Sequence, residues 1–159
     1  MILAKKPIEI FKSVEQFEAY AKDWQHRLFL DNWFINFNLT EDIIYQDGME
    51  LWGVSAYSFE NSSADITVFN GKLASNCDAK NIAELTLVHE LLHLKIEYIT
   101  DEDIMGQLPP FEVSLTHKAL ETMAKSLIMA KYNVPYEYFK DNYRIPDSIK
   151  LGACRGACK

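Results

Sequence analysis

Five consecutive residues, His89-Glu90-Leu91-Leu92-His93, carry the chain's clearest chemical pattern. If the segment is helical, side chains four apart lie one above the other on the same face. His89 and His93 then direct two imidazoles into one space. Two neutral imidazoles so placed can bind a zinc ion at about 2.0–2.1 Å each. Glu90 projects about 100° around the helix from His89. From there it reaches a water held by the metal without ligating the metal itself, which is the placement hydrolysis needs. A zinc-activated water attacks a carbonyl, and Glu90 takes the proton as general base and returns it to the leaving amine as general acid. The plainer alternative is a pair of core histidines. Burying two imidazoles and a carboxylate in a Leu-rich helix costs several kcal/mol unless something compensates, and a cation would compensate.

A catalytic zinc generally takes three protein ligands and keeps one open position. The third must come from outside this helix. His117 and Glu121 are four apart in a later helical segment, and Leu120, Ala124 and Ile128 line the same side. That face therefore points to the core. A His–Glu pair at this spacing also occurs as an ordinary surface helix pair.

Several elements must position these groups. Residues 8–12 read as an extended lead-in. Ser13-Val14-Glu15-Gln16 fits a capping box, and Val14, Phe17, Tyr20, Ala21, Trp24 and Leu28 recur at helical spacing, predicting a helix that ends near Leu30–Asp31. Trp33, Ile35, Phe37 and Leu39 alternate with Phe34, Asn36 and Asn38, a strand signature. Gln46-Asp47-Gly48 is a turn signal, Met49 to Phe59 a strand region interrupted at Gly53, and Asn61-Ser62-Ser63 a second turn. Ala64 to Phe69 is a third strand, closed by Asn70-Gly71. The spacing suggests a meander, antiparallel at least in part. Asp78 is a plausible N-cap for a helix from Ile82 to about Ile99, apolar on most faces and hence central. Residues 106–110 form a loop, and a third helix runs from about Phe111 to Tyr132, stopping before Pro135. The chain divides into one domain over 1–140 and a flexible tail over 141–159.

Composition narrows the function classes. Hydrophobic residues are 48%, enough for a core in a single α+β domain. A net charge of −7 disfavours binding to phosphate backbones, and no basic amphipathic face suggests a membrane surface. No run approaches the roughly 18 apolar residues of a membrane span. The start, Met1-Ile2-Leu3-Ala4-Lys5-Lys6-Pro7, lacks the apolar stretch of a secretory leader. With three cysteines, Cys77, Cys154 and Cys158, this points to reduced thiols and a cytoplasmic location.

At His89-Glu90-Leu91-Leu92-His93 and the Leu120-Glu121-Thr122-Met123-Ala124-Lys125-Ser126-Leu127 run, the chain resembles gluzincin-type zinc metallopeptidases. It is especially similar to small HELLH-containing proteins of phages and prophages, best from about Trp33 to Lys131. The resemblance implies a minimal zincin-like domain: a small twisted, mostly antiparallel sheet, an active-site helix beneath it and a ligand helix behind. It implies a zinc-dependent peptidase acting on an extended peptide or protein substrate. It places His117 at the family's third-ligand position, where glutamate is usual, and Glu121 at the position that braces a ligand histidine. The reverse assignment, with Glu121 as the ligand, stays open. It further implies that an edge strand, near Trp52–Phe59 or Ala64–Phe69, pairs with the substrate. The alternative function is a catalytically silent zincin-fold binding or regulatory protein with a structural metal.

Other residues invite less. Cys154 and Cys158 are two thiols at a terminus, too few for a metal site. His26 is expected to face solvent. Tyr132, Tyr136, Tyr138 and Tyr143 read as apolar cover for the helices.

Overall fold

A computed structural model describes residues 6–46, 48–73, 81–96 and 110–143. Helix α1 is Val14–Arg27. The Ser13 hydroxyl accepts from Gln16 N at 3.2 Å, and the Gln16 side chain accepts from Lys12 N at 2.8 Å. Phe17, Tyr20, Ala21 and Trp24 form its buried face. The helix ends before the expected Leu30–Asp31, because Phe29 turns left-handed at φ 54°. The buried Gln25 amide closes that turn by donating to Leu30 O at 3.0 Å and Trp33 O at 2.9 Å.

Five strands follow: β1 Phe34–Thr40, β2 Ile44–Gln46, β3 Met49–Leu51, β4 Gly53–Ser58 and β5 Ser63–Phe69. The main sheet has the order β1-β5-β4, and β2 and β3 pair separately. The expected meander is corrected here, since β1 pairs with β5 in parallel while β4 pairs with it antiparallel. The interruption expected at Gly53 falls at Trp52, and the two parts of Met49 to Phe59 are separate strands serving different sheets. The short β2 was not anticipated; three residues are too few for a periodic signal. Register puts Phe37, Ile66 and Ser55 side by side, and likewise Leu39, Val68 and Gly53. This inward row faces the helices. Phe34, Asn36 and Asp65 lie on the outer face, where Asn36 Nδ2 donates to Asp65 Oδ1 at 2.9 Å.

Helix α2, Ala83–Lys95, fills the centre. Leu85, Leu87, Val88, Leu91, Leu92 and Leu94 are all buried. Its N-cap is Ile82, which offers no side-chain cap. The lead-in supplies what is missing: Glu9 O accepts from Ala83 N at 3.0 Å and Ile8 O from Glu84 N at 3.1 Å. The expected cap Asp78 and the expected extension to Ile99 lie outside the described residues, as do Cys77, Cys154 and Cys158.

Helix α3, Pro110–Tyr132, starts one residue early with proline at its first position, where a missing N–H costs nothing. It ends at Asn133, φ 52°. A 3₁₀ helix spans Tyr136–Tyr143, so the expected tail begins with helix at 141–143. The result is α+β, with the helices on one face of the sheet. Among the described residues no helix is long and apolar enough to cross a membrane.

One buried charge cluster ties these parts together. Glu84 is fully buried. Its carboxylate accepts from Trp24 Nε1 at 2.7 Å, Lys131 Nζ at 2.9 Å, Tyr132 OH at 2.7 Å and Ile8 N at 2.9 Å. Lys131 Nζ also lies 3.0 Å from Asp23 Oδ2, and 4.8, 4.4 and 5.2 Å from the ring centres of Tyr20, Trp24 and Tyr132. Burial and the Glu84 charge push the Tyr132 phenol pKa up, so it remains a donor.

Candidate metal centre

Helices α2 and α3 run antiparallel. Glu84 meets Lys131 at one end, while His89 and His93 meet His117 toward the other. His89 Nε2 and His93 Nε2 stand 3.3 Å apart. The His117 ring centre is 5.9 Å from that of His89 and 5.3 Å from that of His93. One nitrogen from each of the three rings lies within 4.8 Å of the others. His89 and His93 are half-buried and His117 is exposed.

Glu121 sits behind His89. Its Oε2 is 3.5 Å from His89 Nδ1, the ring nitrogen turned away from His93, and its Oε1 is 3.0 Å from Lys125 Nζ. That Nδ1 is buried and makes no formed hydrogen bond. Glu121 is thus beside the three-nitrogen cluster, not part of it.

The electrostatics separate the three rings. Burial works against charge on His89, but the Glu121 carboxylate and the charge of Glu90 outweigh it and raise the His89 pKa. Burial, then the charges of His89 and His117, lower His93 to about 3. Burial and His89 also lower His117. A first proton therefore resides on His89, while His93 and His117 stay neutral and keep lone pairs for a cation.

Ligand nitrogens on a tetrahedral zinc with bonds of about 2.0–2.1 Å are roughly 3.3 Å apart.

His89 and His93 already have that spacing. His117 is an exposed side chain whose torsions can close the rest. The donor set thus fits a small divalent ion that favours imidazole.

Comparison with protein-family models, with curated proteins and with solved structures finds no match. The geometry therefore carries the functional argument unaided.

Glu90 is buried at 7% exposure. Burial raises its pKa, opposed by the charge of His89 and a hydrogen bond from the Ser55 hydroxyl. Strand β4 holds it closely. A Cβ on Gly53 would lie 2.6 Å from Thr86 Cγ2 and 2.9 Å from Glu90 Oε1, so only glycine lets strand and carboxylate approach. Sequence reasoning brought out His89, Glu90, His93, His117 and Glu121, and the structure gathers all five. It missed Gly53 and Ser55. The signal was available in strand alternation: a Gly and a Ser occupy the inward row next to Val68 and Ile66.

Of the two strands considered for a partner peptide, β5 is excluded. It pairs on both sides, with β1 and with β4. Strand β4 lies at the sheet edge, against α2. His26, as expected, is exposed, and lies 3.1 Å from Asp31. Tyr132 departs from its expected role as apolar cover, since its hydroxyl serves Glu84.

Proposed function

We propose that the protein is a zincin-like, zinc-dependent peptidase, with His89, His93 and His117 as metal ligands and Glu90 as general base and acid. One observation carries the reading: three imidazoles from two helices converge, a nitrogen of each within 4.8 Å of the others and those of His89 and His93 at 3.3 Å, beside a buried carboxylate.

Zinc, when bound, supplies a Lewis acid that polarises the scissile carbonyl and acidifies a water. The chain's own residues do the remaining work. Glu90 accepts the proton of the attacking water and delivers it to the amine nitrogen as the C–N bond breaks, while the water's oxygen stays on the new carboxylate. Burial raises the affinity of Glu90 for that proton, and the Ser55 hydroxyl fixes the carboxylate. Glu121 orients the His89 ring from behind, as carboxylates do for ligand histidines. Strand β4, at the edge of the sheet among the described residues, is placed to offer backbone groups to an extended peptide.

The test pairs metal with turnover. Purified protein is expected to hold about one zinc per chain by elemental analysis and to cleave an unfolded protein substrate. Glu90→Gln should retain the zinc and lose about 10²–10⁴-fold in rate. A chain that takes up no zinc at saturation, or a Glu90→Gln protein cleaving at the parent rate, overturns the proposal. In the second case the metal would serve a silent binding domain.

A further inference from the structure

Away from the His89–Glu121 contact, which makes no formed hydrogen bond, the helix that carries His117 faces an apolar partner. Its buried side is Leu120, Ala124 and Ile128, four residues apart, and α2 presents leucine and valine on most faces. Sliding such a stripe by one turn, about 5.4 Å, exchanges one apolar contact for a similar one. Apolar packing alone therefore selects the register of α3 weakly. Yet the metal centre needs that register. His117 stands only 5.3 Å and 5.9 Å, ring centre to ring centre, from His93 and His89, so a one-turn slip breaks the cluster.

The feature that does discriminate lies at the other end of the pair. His117 and Lys131 are fourteen residues apart on α3, close to four turns and about 21 Å. They therefore occupy nearly the same face. Lys131 places its ammonium 2.9 Å from the Glu84 carboxylate, with side-chain exposures of 6% and 0%. A slip would take Lys131 away from Glu84 and Asp23, and would leave Glu84 without Lys131 and Tyr132, both on α3, in an apolar interior. A buried ion stripped of its partner costs about 3–5 kcal/mol. A single buried polar contact is known to fix register in paired helices for this reason.

We propose that the Glu84–Lys131 pair is a register pin. Glu84 and Lys131 act as positioning residues that set where His117 stands along α2, and so complete the metal centre from the far end of α3. Asp23 and Trp24 of α1 and the backbone of Ile8 hold the same two charges, so the pin is anchored to elements outside the helix pair. The consequence for metal binding rests on the reading of His117 as a ligand; the register itself does not.

The decisive variant is Glu84→Met with Lys131→Met, which removes both charges and the acceptor that Tyr132 of the same helix uses, and keeps the volumes. Replacing a buried ion pair by groups of similar shape is often neutral for stability, so the protein is expected to fold, as circular dichroism would show. Two readouts follow. Nuclear Overhauser contacts between the His93 and His117 rings, measured without metal, should weaken or vanish. Cobalt(II) affinity should fall on the order of tenfold, with an altered visible spectrum. A folded double variant that keeps the parent's ring contacts overturns the pin. If the parent itself takes up no cobalt(II), the metal reading falls, while the ring contacts still decide the register. Should the double variant not fold, Glu84→Gln alone, which keeps shape and an acceptor oxygen, is judged by the same ring contacts.

Discussion

His89 Nδ1 and Glu121 Oε2 face each other at 3.5 Å across the α2–α3 interface. This one contact decides which imidazole of the cluster is the most basic. Despite burial, the His89 pKa is raised above its ordinary 6.5, and the charge it then carries lowers His93 and His117.

Metal uptake should follow that proton. A metal needs His89 neutral, so zinc affinity is full above the raised His89 pKa and falls as pH drops through it. The decline begins above pH 6.5. Glu121→Gln removes the main support for the proton and should move the onset to lower pH. Competition with a chromophoric chelator across pH 5–9 measures both curves; coincident curves would contradict the assignment.

Stability of the metal-free protein should fall on acidification. His93 titrates near 3 when folded against 6.5 as a free side chain, and His117 shifts in the same direction. Between those values the unfolded chain binds more protons, so stability is lost as pH falls from 6.5 toward 3. The lowered pKa of Glu121 acts in the same sense: its contribution is lost as pH falls through its folded value. His89 opposes them, its contribution being complete below 6.5 and lost at higher pH. Glu90, whose pKa burial raises, opposes them as well. The two histidines, His93 shifted as far as about 3, together with the lowered carboxylates of Glu121 and Asp23, outweigh one histidine and one carboxylate. The result is a net loss, read as a falling urea midpoint at successive pH values.

The third-helix residues should separate cleanly in zinc binding. Glu121→Ala removes a group behind a ligand and should weaken zinc by about 10–100-fold. His117→Ala removes the proposed third ligand and should weaken it further. Isothermal titration ranks them. If Glu121→Ala loses zinc as completely as His93→Ala while His117→Ala keeps it, the two roles are reversed.

Gly53→Ala tests the close approach of β4 to the Glu90 carboxylate. The added methyl meets Thr86 Cγ2 at 2.6 Å and Glu90 Oε1 at 2.9 Å. Overpacking of this kind costs about 1–3 kcal/mol. Thermal melts should show that loss. Zinc content should hold, because no ligand is touched, while cleavage falls further than stability explains.

The sequence held much of this because short-range rules governed it. The capping box at Ser13 and Gln16 marked a helix start, and i,i+4 geometry brought His89 to His93 and His117 into line with Glu121. What stayed hidden depends on partners distant in sequence. Nothing around Ile8 announces that its carbonyl caps a helix seventy-odd residues later. Nothing around Glu84 or Lys131 distinguishes them from solvated charges, since either is buried only because the other is there. The parallel pairing of β1 with β5 was equally illegible: local spacing suggested neighbours in chain order, but the β2–β3 hairpin intervenes and β5 enters between β1 and β4.

That strand order bears on how the chain is made. The middle strand of the main sheet is also the last of its three to leave the ribosome. Until β5 arrives, β1 and β4 have no mutual partner and expose unpaired amides, the condition under which nascent chains associate wrongly. The sheet closes by insertion, not by successive addition. Substitutions that slow β5, such as Ile66→Gly, should therefore reduce soluble yield in cells more than they reduce the melting temperature of the molecules that do fold.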